Sequence, residues 1–322
     1  MSIVDPHPEA TRAAWEPLGR VPALDGLRAV AVLAVFLYHG VWFGIEGGFI
    51  GVDLFFTLSG FLITRLLVDE FVRDDRISLH SFFIRRSLRL LPALFAMVGS
   101  VAVLAWLLDA PALEDRITSR SLWALSYVAN WRDVITRTHS GPFSHIWSLS
   151  VEEQFYVIWP LVTVALIRWR GPAAVARFAG GLALILASIT ALRYRLGTPG
   201  MVLFFSTDSH GAILLLSGSW LGASPQVLRR LRPELGRVVL AIGLVGFVVF
   251  SLAPDRYNVI HLGFGYTPIA LVSLLAIAGA VACPDTRILT WEPLAQIGRS
   301  SYAIYLWHIP MFAITGVLAP GF

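Results

Sequence analysis

LDGLRAVAVLAVFLYHGVW, residues 24–42, decides the fold class: its only ionisable groups near neutral pH are Asp25, Arg28 and His39. A helix that crosses a bilayer needs about 20 mostly apolar residues. Lipid offers its backbone no partners, so such a run must satisfy its own hydrogen bonds. Outward from this segment, comparable runs recur at 50–68, 90–108, 150–167, 178–193, 209–223, 238–252, 264–283 and 300–318. The expectation is an all-α, polytopic integral membrane helical bundle of about nine spans. Composition agrees: of 322 residues, 56% are hydrophobic and 14% charged, against about a quarter charged in soluble domains. Mean hydropathy is +0.70. These values exclude an ordinary soluble domain, collagen and a disordered chain, and a lone Cys283 excludes a disulfide scaffold.

All 25 basic residues are arginine. With the N-terminus in the cytoplasm, sixteen arginines fall in inner segments and seven in outer ones, leaving Arg28 and Arg65 inside spans. That asymmetry follows the positive-inside rule and implies a multi-pass protein of the plasma or inner membrane with Phe322 outside. Residues 1–20 hold Pro6, Pro8 and Pro17 and no signal-peptide cleavage pattern. They read as a disordered cytoplasmic tail, with 21–322 as one transmembrane domain. The isoelectric point near 9.6 reflects a charge balance and does not imply nucleic acid. In the long outer connection 109–149, SLWALSYVANW (121–131) reads as an amphipathic helix on the membrane surface.

Ionisable groups within spans are costly and mark function by default. Arg28 and His39 are eleven residues apart, almost three helical turns and about 16 Å of rise. They therefore share one face, with Tyr38 alongside. A neutral imidazole there has the basicity to act as general base on a hydroxyl. In GVDLFFTLSGFLITRLL (51–67), Gly60 suits close helix approach, and Asp53 reads as an interfacial carboxylate or a partner that orients His39. In FFIRRSLRLLP (82–92), Arg85, Arg86 and Arg89 enter the third span. Two readings are open for them: topology, or a cytoplasmic phosphate site beside Arg28. SHIWSLSVEEQFYVIWP (144–160) crowds His145, Ser148, Ser150, Glu152, Glu153 and Gln154 at the outer end of the fourth span. Adjacent carboxylates point about 100° apart on a helix, so one is expected to face the interior and the other to cap the helix. Such a density of hydrogen-bonding groups suits a polyhydroxylated ligand. TDSHG (207–211) adds Asp208 and His210, and His308 in SSYAIYLWHIP (300–310) reads as a core histidine.

Five ordered segments, LDGLRAVAVLAVFLYH (24–39), GVDLFFTLSGFLIT (51–64), FFIRRSLRLLP (82–92), HIWSLSVEEQFYVIWP (145–160) and IGRSSYAIYLWHIP (297–310), resemble the integral-membrane acyltransferase family 3. The resemblance implies transfer of an acyl group, commonly acetyl, from cytoplasmic acyl-CoA to a carbohydrate hydroxyl. The family's Arg-x10-His motif falls on Arg28 and His39, and its Arg-x-x-Arg motif on Arg86 and Arg89. By likeness His39 is catalytic with Arg28, and Arg28, Arg85, Arg86 and Arg89 hold the CoA phosphates. Asp53, Ser150, Glu152, Glu153 and Asp208 are the candidates for binding the acceptor, with membrane lipid around the bundle and no metal required. The family has ten spans as a rule, one more than counted here, and often an arginine where His210 stands. The expectation is a bundle that resembles the stand-alone members, without an added extracytoplasmic domain. The acceptor classes left open are a surface polysaccharide, peptidoglycan, a glycolipid and a glycosylated metabolite such as a macrolide. The competing function is a transporter of protons or a small solute along the same polar seam.

Overall fold

The computed structural model describes residues 15, 17–40, 45–109, 111–252 and 263–318. Among these, every regular element is helical. Nine apolar helices carry the fold: α1 (Pro22–His39), α2 (Ile50–Asp74), α3 (Leu79–Leu107), α4 (Ile146–Arg170), α5 (Ala173–Arg195), α6 (Ala212–Gly222), α7 (Pro233–Ser251), α8 (Thr267–Ala282) and α9 (Ser301–Leu318). Each expected span falls on one of them, although Val41 and Trp42 lie outside the described residues. Six, α1 to α5 and α7, are long and apolar enough to cross a membrane. The chain is thus a polytopic membrane bundle. α8 has 16 residues, and α6 is prolonged at its start by a π-helical turn, Thr207–Gly211.

The largest boundary difference is α3, which begins at Leu79 rather than 90. Hydropathy falls at Arg85, Arg86 and Arg89, but helical hydrogen bonding does not, because arginine is a good helix former. The three guanidiniums therefore project from the helix itself. The surface helix expected at 121–131 is two helices, Pro111–Leu125 and Ala129–Thr136. Tyr127 between them is left-handed, with φ of 54°, and its carbonyl accepts a 2.8 Å hydrogen bond from Gln154.

Glycines set the helix spacing. A Cβ on Gly60 would lie 1.8 Å from the Leu215 carbonyl oxygen, and one on Gly218 would lie 1.9 Å from that of Thr57. α2 and α6 thus pack backbone to backbone, and Ser219 donates across the seam to the Gly60 carbonyl at 3.2 Å. α7 and α8 meet similarly at Gly243 and Gly279. Lipid tails are as apolar as leucine, so dispersion at such close contacts, rather than water expulsion, holds the helices together. Phe95, Leu184, Val245 and Leu271 are exposed on the outside of the bundle, as a lipid-facing surface requires.

Most of the expected tail, residues 1–14 and 16, lies outside the described residues. Trp15 is buried, and its indole donates to Asp69 at 2.5 Å, while the Leu18 N–H donates to the same carboxylate at 3.1 Å. Arg65 pairs with Asp69 at 3.0 Å and stands 4.3 Å from the Trp15 ring centre. The segment leading into α1 is therefore tied across α2.

Candidate active site

A cavity of about 930 Å³ opens between α1, α2, α3, α4 and α9. Its lining includes Arg20, Arg28, Arg65, Arg73, Arg85, Arg86 and Arg89, with Asp25, Asp69, Glu70 and Asp74 among them. Ser59, Glu152, Tyr156, Ser148, Ser301, Tyr302 and Tyr305 complete its polar lining together with Ser78 and Ser81. The volume is at the upper end of the roughly 300–1,000 Å³ range of small-molecule pockets.

The arginines differ in how they are held. Arg85 and Arg89 are exposed. Arg86 stands over the Tyr156 ring, 3.2 Å from its centre, and its Nε is 3.6 Å from Glu153. Arg28 donates from Nε to Ser301 Oγ at 3.2 Å. Glu152 faces the cavity and accepts hydrogen bonds from Ser59 and Tyr156. Adjacent carboxylates on α4 thus serve two neighbours, α2 for Glu152 and α3 for Glu153. Neither caps the helix, which corrects that expectation: α4 begins at Ile146, too early for positions 152 and 153 to be its first turn.

Arg28 and His39 do share a face, and what they face is α9. Arg28 meets Ser301, and His39 Nδ1 lies 3.3 Å from Nε2 of His308. The imidazole centres of His39 and His308 are 4.9 Å apart, and those of His308 and His145 are 5.1 Å apart. His308 is therefore not an isolated core histidine. Tyr305, one turn earlier on α9, hydrogen-bonds Ser148 at 2.5 Å and donates to the His145 carbonyl at 3.1 Å. Ser148 and Tyr305 both line the cavity, so the histidine cluster lies directly behind its lining. The spacing of Ser301, Tyr305 and His308, at i, i+4 and i+7, places all three on one helical face. That spacing is the signal by which α9 could have been assigned to the site.

Three acceptor candidates lie elsewhere. Asp53 is fully buried and pairs with His210 Nε2 at 2.5 Å, not with His39. His210 is enclosed by Phe204 and Tyr266, with ring centres at 4.4 and 4.3 Å. Hydropathy could not choose between two histidines on different helices; the packing of the π-helical turn against α2 did. Ser150 is also fully buried. It donates to the Ile146 carbonyl at 2.9 Å and accepts from the Ala129 N–H at 3.2 Å, tying a surface helix to α4. Asp208 is exposed and pairs with Arg193 at 3.0 Å, away from the cavity lining. Among the described residues, no group of three His, Cys, Asp or Glu side chains is arranged to hold a metal ion.

The model of an acyltransferase domain, that of acyltransferase family 3, matches residues 21–322. The chain belongs to this family. It is similar to the peptidoglycan O-acetyltransferase OatA of Listeria monocytogenes, with 33% identity over 313 residues, covering 92% of this chain and 50% of the relative. It is also similar to the O-acetyltransferase OatA of Staphylococcus aureus, with 33% identity over 307 residues, covering 90% and 50%. The chain thus spans about half the length of the curated relatives it matches. No solved structure matches it. Family membership joins the arginine-lined cavity and the histidine cluster as parts of an acyltransferase domain.

Proposed function

We propose that this protein moves an acetyl group from cytoplasmic acetyl-CoA to a carbohydrate hydroxyl of peptidoglycan. The observation that carries the reading is a cavity lined by arginines and also by Ser148 and Tyr305, the Tyr305 ring standing 5.3 Å from that of His308 in the histidine cluster. CoA is a polyphosphate on a long, thin thioester arm. Arg85 and Arg89, which are exposed, and Arg28, braced by Ser301, suit its phosphates, because guanidinium presents several donors in a fixed plane. Glu152 also lines the cavity, with two donors holding it in place. The relatives' names, which state O-acetyl transfer and peptidoglycan, support the acetyl group and the acceptor, and the arginines support CoA as its carrier.

The chemistry assigned to His39 follows from its bonds. Its Nδ1 lies 3.0 Å from the Val35 carbonyl, which can only accept. Nδ1 therefore carries the proton, and Nε2 is the basic nitrogen. Nε2 takes the proton of the acceptor hydroxyl as the oxygen forms its bond to the thioester carbonyl carbon. When the tetrahedral adduct collapses, the C–S bond breaks, and the imidazolium returns the proton to the leaving sulfur. The products are an acetyl ester and CoA thiol. With the N-terminus in the cytoplasm, α1 carries the reaction from the arginines at the inner surface toward the outer end of the bundle.

Radiolabelled acetyl-CoA incubated with membranes and soluble peptidoglycan fragments tests this. Label is expected in the glycan with the native protein and at background with His39→Ala. Equal labelling by both would show that the His39 mechanism is wrong. Labelling of membranes but not of glycan would point to another acceptor.

A further inference from the structure

We infer that His308 is the positioning residue of His39, holding its Nδ1 proton and taking up part of the positive charge that develops on the ring during transfer. This rests on the reading of His39 as the base. His308 Nδ1 lies 2.6 Å from the Tyr305 carbonyl, an acceptor only, so that nitrogen must donate. Nε2 of His308 is then a lone pair, and it faces the Nδ1–H of His39 at 3.3 Å. The same proton is 3.0 Å from the Val35 carbonyl. In the resting state it is shared between the two acceptors.

These acceptors are not equivalent once Nε2 of His39 has taken a proton. A carbonyl in a helix can only receive a hydrogen bond, whereas an imidazole can receive the proton itself. Part of the charge formed on His39 can therefore pass to His308 with the proton, unlike in a hydrolase triad, whose orienting carboxylate stays ionised. His308 is 4% exposed and His145 is 2% exposed, so burial disfavours a charge on any one ring, and a proton shared between two rings costs less than one confined to a single ring. The titratable groups facing His308 are His39, His145 and Tyr305. None of them is acidic, so within the cluster the charge is shared between imidazoles. His145 is pinned by a 2.9 Å bond from Nε2 to the Leu306 carbonyl, and its buried Nδ1 has no partner among the described residues. With Tyr305 bonded to both Ser148 and the His145 carbonyl, the α9 ring is set in place from two sides.

The test measures kcat and KM for acetyl-CoA on the full, detergent-purified chain with His308→Leu and His308→Gln, using soluble peptidoglycan fragments as acceptor. Thermal unfolding of each variant is followed in parallel. Leucine fills the space and offers no acceptor; glutamine accepts the Nδ1–H bond but takes no proton. The expected result is a kcat loss of about 100-fold for leucine and about tenfold for glutamine, with KM changed less than about threefold. A leucine variant with kcat within about twofold of native overturns the inference. So do equal losses in the two variants accompanied by a raised KM, since both then act through packing. If the leucine variant does not fold, native kcat in the glutamine variant overturns it equally. Full activity in His39→Ala would instead overturn the base reading on which this one rests.

Discussion

Glu152 and Glu153 show how much a single residue's role depends on its neighbours. The two are adjacent and chemically alike, yet one accepts from Ser59 and Tyr156 while the other sits 3.6 Å from Arg86. Arg86 is correspondingly tied into the protein, whereas Arg85 and Arg89 are exposed. The arginines should therefore separate in experiment. Arg89→Ala is expected to raise KM for acetyl-CoA about tenfold, the worth of a charge-assisted hydrogen bond, and to leave kcat within about twofold. Arg86→Ala is expected to lower the thermal midpoint as well, because it strands the Glu153 carboxylate and uncovers the Tyr156 ring. A matched set of melting curves and KM values checks both; identical behaviour of the two variants would reject the distinction. At this scale the sequence was legible where a motif stated its own spacing, as with Arg28 and His39. It was not legible for Asp53, which had two histidines to choose from and paired with His210.

At the scale of elements, the nine apolar runs were readable because a bilayer permits few solutions for a long apolar segment. The pairing of α2 with α6 was foreshadowed only by Gly60. Gly60→Ala is expected to destabilise the folded protein by about 1–3 kcal/mol, as overpacking does, since its Cβ has a carbonyl oxygen 1.8 Å away. Gly99→Ala on α3 meets nothing within 4 Å, and there the better helix propensity of alanine should leave stability unchanged or raise it by about 0.5–1 kcal/mol. Heating both variants in one detergent and comparing their midpoints decides it. A Gly60→Ala midpoint at or above that of Gly99→Ala would mean that the α2–α6 seam relaxes. The start of α3 was misplaced by hydropathy because polarity and helicity part company at the arginines: the chain stays helical where it ceases to be apolar.

For the whole molecule, orientation is the property that connects the cavity to a donor. The proposal that the N-terminus is cytoplasmic puts the segment after α8 on the inner side, with the chain's sole cysteine, Cys283, at its head. Cys283 is partly exposed. A membrane-impermeant maleimide is therefore expected to label it in inverted vesicles and not in right-side-out cells, with Cys283→Ser as the blank. Labelling from outside would reverse the orientation and place the cavity's arginines away from cytoplasmic acetyl-CoA. The same cavity makes ionic strength informative. If phosphates are held largely by exposed guanidiniums, raising salt from low to about 0.5 M should raise KM for acetyl-CoA several-fold, with a smaller effect on kcat. A KM independent of salt would assign those arginines to topology alone.

What the sequence determined by itself was the environment and the material of the fold. An apolar run of bilayer length must be helical, because lipid satisfies none of its backbone groups. The eleven-residue step from Arg28 to His39 puts both on one face of that helix by its pitch alone. What lies across from that face is not a property of α1. His308 is 269 positions away from His39 along the chain, and helical periodicity constrains only which residues of one helix look the same way. Tertiary packing decided that α9 is the partner, that Arg28 meets Ser301, and that His39 meets an imidazole where a carboxylate had been the candidate. These choices depend on how helices are rotated and spaced, and here contacts such as Gly60 with Leu215 and Gly243 with Ala276 set those distances.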